Sequence, residues 1–358
     1  MTRWKHPLLI DAEQFDALWS RPADGPILFV AGAGYDPRAA VVLKRLQNVT
    51  DRRVDALLIA LSEDSTDEDV RPLALTNRAT IAQLITAGGG ELHEQPLPQH
   101  EDPGALGRLI SKAFQLSGLL DAYKEVVIEI SAMPRSVFFP LIRGILLRAH
   151  AGLDSPELWE GDLHVAVCEN PAADASVLGE GTRAMAPIGG FAAPGAAPAP
   201  RTTIWVPVLG EGGLARVKRL YEELGPDEVC PVLPWPSQEP RRGDRIVLEY
   251  RQFLFDEVEL EPRNVIYAAE RNPFDLYRTL GRLHDRYRQA LKRLDPVTMV
   301  LSSHSSKLLS VGVLLAAYDH ELEVQHVGGG SYGLRSSPAE LAGQGEIFDL
   351  WLTGEPYR

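Results

Sequence analysis

Short apolar runs of strand length alternate along this chain with longer segments of helix composition, and turn residues separate the two. In the first half the runs are PILFVA at 26–31, VDALLIAL at 54–61, VVIEIS at 126–131 and LHVAVC at 163–168. In the second half they are TTIWVPVL at 202–209, VCPVL at 229–233, VIYAA at 265–269, VTMVLS at 297–302 and LEVQHVG at 322–328. Near-continuous apolar runs of this length suit parallel strands covered on both faces. Helices are expected near 12–19, 39–49, 75–87 and 103–120, then after Arg135, over 214–224, from Asn272 toward Lys292, and after Lys307. Every strand-to-helix step is long enough for a right-handed crossover.

The punctuation agrees with this alternation. Asp11 reads as a helix cap. Asn272, Pro273 and Asp275 form a helix start of cap, first-turn proline and favourable acid. The prolines of LHEQPLP (92–98) admit an edge strand or a loop but oppose a central strand. RIVLEYRQFLF (245–255) fits a helix better than a strand after the Gly243-Asp244 break. Between 171 and 200 the composition turns to Ala, Gly and Pro, with few side chains able to offset the entropy of ordering. The expected fold is therefore α/β, with tandem Rossmann-like domains and mainly parallel sheets: 1–170, a linker at 171–200, and 201–358. The halves read as diverged copies of one plan.

Composition bounds the function. The 358 residues are 45% hydrophobic and 24% charged, enough for a large core, and the formal charge of −13 opposes broad nucleic-acid binding. The two cysteines, Cys168 and Cys230, lie in or beside strand-like runs and read as buried thiols. The first residues lack the apolar core of a signal peptide, and no apolar run has bilayer length, so a cytoplasmic setting with no membrane partner is expected.

Candidate chemistry sits where strands run out. SSHSSK at 302–307 follows a buried strand and opens a helix. Ser302, Ser303, Ser305 and Ser306 offer hydroxyls, the helix start offers amides, and Lys307 offers charge, a set suited to phosphate or ribose; a solvated helix cap is the alternative. His304 reads as a base, a hydrogen-bonding group or an exposed side chain. Ser131 and Arg135 occupy the related place in the first half when Ser131 is matched to Ser302. SAMPRS lacks the glycines of a nucleophile elbow, so Ser131 reads as a turn hydroxyl or ligand contact and Arg135 as an anion clamp or ion-pair member.

AGAGYDPR at 31–38 places Gly32 and Gly34 in a turn ahead of Arg38. It reads as an anion loop or as a steric turn capped by Asp36, and it completes neither a dinucleotide fingerprint nor a Walker loop. Glu270 and Arg271 leave another strand, as acid/base and anion partner or as a surface ion pair beside a capped helix. Trp235, Arg241 and Arg242 border the same region. Gly328 to Gly333 carries Tyr332, in a ligand-covering loop or a plain turn. The carboxylates of 61–69 read as a solvated face, and His93 and His100 have no local Cys/His cluster, so no metal site is expected; the sequence names no cofactor.

The unit strand, small polar residues, Lys307, apolar helix resembles a ligand-binding motif of the CRISPR-associated Rossmann-fold sensor domains. In that family glycines and a threonine usually precede the lysine, where this chain has His304, Ser305 and Ser306. The resemblance implies binding of a cyclic oligonucleotide messenger, commonly across a homodimer, with the signal passed to a fused or partner effector in antiviral defence. It implies phosphate or ribose contacts from Ser305, Ser306 and Lys307. Three classes of function follow: a nucleotide- or phosphate-recognising sensor or assembly protein, with an effector or a second copy as partner; a hydrolase or transferase on a nucleoside or phosphorylated substrate, using Glu270 and His304; and an acidic protein-interaction scaffold.

Overall fold

The computed structural model describes residues 3–61, 71–97, 107, 109–110, 112, 118–170, 173–174, 177–192, 202–291, 297–334 and 345–357. The acidic segment after Leu61, most of the helix expected at 103–120, His100 and residues 193–200 lie outside them. In chain order the elements are β1 (Leu8–Ile10), α1 (Ala12–Trp19), β2 (Ile27–Gly32), α2 (Val41–Val49), β3 (Val54–Leu61), α3 (Arg71–Ala87), β4 (Leu92–Leu97), β5 (Glu125–Glu129), α4 (Arg135–Ala149), β6 (Asp162–Glu169) and β7 (Val177–Pro187). There follow β8 (Thr202–Val208), α5 (Leu214–Leu224), β9 (Glu228–Val229), β10 (Val232–Pro234), α6 (Arg242–Arg251), β11 (Ile266–Ala268), α7 (Pro273–Ala290), β12 (Val297–Ser303), α8 (Lys307–His320), β13 (Glu323–Leu334) and β14 (Glu346–Trp351).

Two compact units result. The first comprises His6–Gly181 with Gly330–Arg358, and the second Met1–Lys5 with Thr182–Gly329. This division differs from the expected one in two places. β14 pairs antiparallel with β6 and β1, so the end of the chain completes the first sheet. The Ala/Gly/Pro-rich segment supplies β7, beside β13 in the second sheet. Backbone pairing needs no large side chains, and the buried Ile188 and Phe191 just beyond β7 anchor the segment through hydrogen bonds with Val324.

The sheets share one winding. The first runs β1-β14-β6-β5-β2-β3-β4 and the second β11-β10-β8-β12-β13-β7. Counting from β2 and from β8, and setting aside the two-residue β9 that pairs only with β8, each contains the order third, second, first, fourth, fifth of a doubly wound nucleotide-binding fold. The parallel registers match as well: Ile27 lies opposite Glu125 and Thr202 opposite Val297, and a helix begins ten residues after each of those partners, at Arg135 and at Lys307. This register aligns Ser131 with Ser303, one residue beyond the match read from sequence. An α/β fold with tandem Rossmann-like sheets is what the chain forms.

Local rules explain the elements that position these edges. Asn272 accepts hydrogen bonds from the amides of Phe274 and Asp275, and Pro273 opens α7. The proline-bearing β4 lies at the sheet edge, where a missing donor costs least. β2, central in its sheet, is buried along its whole length. Ile27, Phe29 and Ala31 pack with Val42, Leu43 and Leu46 of α2, which accounts for the apolar composition of both segments. Cys168 and Cys230 are buried free thiols, and burial raises their pKa to about 12 and about 11. Among the described residues no helix is long and apolar enough to cross a membrane.

Candidate functional site

Strand order reverses between β8 and β12 in the second unit, and the segments leaving these strands touch. The His304 amide donates to the Val208 carbonyl at 2.8 Å. A Cβ on Gly210 would lie 2.6 Å from the His304 carbonyl oxygen and 2.8 Å from the Ser305 Cα, so glycine is what permits the approach. The Gly212 amide meets both carboxylate oxygens of Glu249 at 3.0 Å, and the Tyr250 hydroxyl donates to the Gly210 carbonyl at 3.0 Å. The turn after β8 thus already holds a carboxylate of α6.

Within 302–307 the hydroxyls divide by task. Ser302 is fully buried and accepts from the Trp205 indole at 3.0 Å; His304 Nε2 lies 3.0 Å from the same oxygen. Ser303 pairs with the Ser310 hydroxyl at 2.8 Å, which in turn donates to the Ser306 carbonyl at 2.7 Å. Ser306 caps α8 by accepting from the Leu309 amide at 3.3 Å. The expectation that Ser302 and Ser303 face a ligand is corrected: one anchors an indole and the other ties strand to helix. Ser305 and Ser306 are buried as well, and Lys307, half-buried, takes the first position of α8.

Glu270 and His304 do not form an acid/base pair. Their strands, β11 and β12, are three steps apart in the sheet, roughly 14 Å at normal strand spacing. Glu270 is buried, makes a close ion pair with Arg242 and accepts from the Gln238 amide at 2.7 Å. Arg242, which also lies 3.5 Å from Glu211, is buried; Arg241, Arg271 and Trp235 are exposed. Tyr332 lies inside β13, so the glycine-rich segment is strand and not a covering loop.

The matching edge of the first unit is filled by its own side chains. A Cβ on Gly34 would come within 2.6 Å of the Ala132 carbonyl, and one on Gly32 within 3.2 Å, the same apposition as at Gly210. Arg38 is fully buried. Its Nε and Nη2 donate to Asp36 at 2.9 and 2.7 Å, Nη2 also to Asp174 at 2.7 Å, and Nη1 to the carbonyls of Cys168 and Asn170 at 3.2 and 3.3 Å. A guanidinium has five N–H donors, and all five are occupied. The reading of Arg38 as the charge of an anion-binding loop is corrected accordingly. Ser131 is also buried and accepts from the Cys168 amide at 2.8 Å, tying β5 to β6 as a turn hydroxyl. Arg135, half-buried, opens α4.

Sequence reasoning passed over Glu129. It is fully buried at the end of β5, accepts from the Ser131 amide at 2.9 Å through Oε1, and its Oε2 has no hydrogen-bond partner. Burial pushes its pKa up to about 7; bonds from Ser131 oppose the shift, Asp36 adds to it and Arg38 reduces it. The signal was present, since VVIEI places one ionisable residue inside an otherwise apolar strand.

No family model matches the chain, and no curated protein does. Solved structures that align with it include a candidate universal stress protein from Pseudomonas aeruginosa UCBPP-PA14, at 12% identity and TM-score 0.23, covering 86% of this chain and 94% of that one. A candidate UDP-N-acetylglucosamine 2-epimerase from Listeria monocytogenes aligns at 9% identity and TM-score 0.24, over 79% and 74% of the two chains. A functionally unknown protein from Pseudomonas aeruginosa PAO1 aligns at 12% identity and TM-score 0.23, over 83% and 91%. Scores this low carry no functional argument, and the class rests on the strand order itself: a tandem doubly wound α/β protein.

Proposed function

We propose that the second unit recognises a nucleotide or another phosphorylated small molecule at the carboxyl edge of its sheet, between the turn after β8 and the start of α8. The observation that carries this reading is the reversal of strand order between β8 and β12. Doubly wound sheets hold ligands in the crevice at such a point. The start of α8 presents the positive end of a helix, and Lys307 adds a full charge. The Gly212 amide's hold on Glu249 speaks for the affinity of this turn for anions.

The finer reading is a sensor or assembly protein of antiviral defence that responds to a cyclic oligonucleotide, through Ser305, Ser306 and Lys307. It rests on the likeness of 302–307 to the CRISPR-associated Rossmann-fold domains. Its partner is an effector protein or a second copy of this chain, and ligand acts by favouring one packing of these partners over another.

The test is equilibrium titration of the whole chain with linear mono- and dinucleotides and with cyclic oligonucleotides, each mixture being analysed for product. Saturable binding without turnover supports recognition, and selectivity for the cyclic ligands supports the finer reading. Turnover would replace both with a hydrolase or transferase. Absence of affinity together with a stable, stoichiometric protein complex would identify a scaffold.

A further inference from the structure

Two half-buried histidines on facing helices each carry a buried ring nitrogen that makes no hydrogen bond. His284 lies in α7 and His320 ends α8. Nδ1 of His284 and Nε2 of His320 are both buried, and neither has a hydrogen-bond partner. The rings meet edge to face with centroids 5.2 Å apart. Buried polar atoms are nearly always satisfied, so two orphans converging on one spot call for a shared partner.

A third group completes the set. Asp285 Oδ1 lies 3.8 Å from His284 Nδ1, and one ligand atom from each of His284, Asp285 and His320 falls within 4.8 Å of the others. α7 is also shaped to admit the His320 ring. A Cβ on Gly281 would lie 2.6 Å from His320 Nε2, so the glycine three residues before His284, on the same helix face, leaves room for the imidazole. Glycine weakens a helix interior, and here the ring packed over it accounts for its presence.

We infer that His284, His320 and Asp285 form a binding site for a single divalent transition-metal ion, zinc by preference, clamping α7 to α8. Two imidazoles and one carboxylate suit zinc, with the fourth position left to water. Metal–nitrogen bonds of about 2.0–2.1 Å set tetrahedral ligands roughly 3.3 Å apart. The set must therefore close by up to about 1.5 Å, a side-chain adjustment to which the exposed Asp285 contributes. Sequence inspection missed the site because its ligands come from separate helices and follow no local spacing. This inference is independent of the nucleotide reading, whose residues lie in the 210–213 and 302–307 segments.

The experiment titrates the full chain, first treated with chelator, with Co²⁺ followed by its visible absorption, and then displaces cobalt with Zn²⁺. One equivalent is expected to bind, with a rise in the thermal midpoint. His320→Gln and His284→Gln should each weaken binding by more than the roughly 10–100-fold that loss of an outer-shell partner costs. Asp285→Asn, at an exposed position that does not threaten folding, should weaken it while leaving the metal-free thermal midpoint unchanged. No saturable cobalt or zinc binding would overturn the inference and leave a bridging water as the partner of the two rings. Binding of equal strength in Asp285→Asn and in the folded histidine variants would overturn it too, by placing the ion elsewhere.

Discussion

Gly210 and His304 meet where the strand order of the second sheet reverses, and a Cβ on the glycine would lie 2.6 Å from the histidine carbonyl oxygen. Gly34 stands in the same relation to Ala132 in the first sheet. Alanine at either position would force backbone apart at the centre of its sheet. Gly210→Ala and Gly34→Ala should each lower unfolding stability by about 1–3 kcal/mol, measured by denaturant titration. Equal stability to the parent chain would show that the contact yields easily.

Arg38 holds the carboxyl edge of the first unit together from inside. Replacing it with methionine leaves Asp36 and Asp174 without their cation, a loss of about 3–5 kcal/mol for a buried pair. Arg38→Lys should fail as well, because an ammonium cannot reproduce five fixed donors. Denaturation midpoints of the two variants check this. Full stability of the lysine variant would contradict the geometry.

Glu129 makes stability depend on pH in a direction opposite to that of most carboxylates. Its folded-state pKa of about 7 lies above the ordinary 4.5, so between those values the folded chain holds a proton that the unfolded chain has released. The contribution is complete below about pH 4.5 and is lost as pH rises through about 7, amounting to about 3 kcal/mol. Glu129→Gln, which keeps an acceptor for the Ser131 amide, should abolish this fall and be the more stable protein at pH 8. Parallel stability–pH curves for the two chains would refute the assignment.

Ser302 separates architecture from recognition. Ser302→Ala removes the acceptor of the Trp205 indole and should cost about 1–3 kcal/mol of stability. Ligand affinity should stay within about twofold of the parent, since such a change is well under 1 kcal/mol. Unfolding and binding measured on the same preparation decide the point; an affinity loss without a stability loss would return Ser302 to the ligand.

The elements legible in the sequence were those set by neighbours in the chain. Asn272, Pro273 and Asp275 announce a helix start, and the apolar runs announce parallel strands, because capping and burial patterns act over a few residues. β14 was opaque: its place beside β6 depends on Asp349 and Trp351 meeting strands far back in the sequence, with Asp349 Oδ1 lying 3.0 Å from His164 Nδ1. Arg38 read as a ligand group because charge is visible in a sequence and its partners are not; Asp174 stands 136 residues away. Ser302 and Ser303 misled for the same reason, since hydroxyls that bind ligand and hydroxyls that bind the core look alike.

Affinity of the intact chain and of Lys307→Gln for whichever nucleotide binds is the sharpest test of anion recognition at the start of α8. The variant should fold normally and bind at least about tenfold more weakly, the effect of losing one charge-assisted contact. Saturable binding of undiminished strength in that variant would contradict the account.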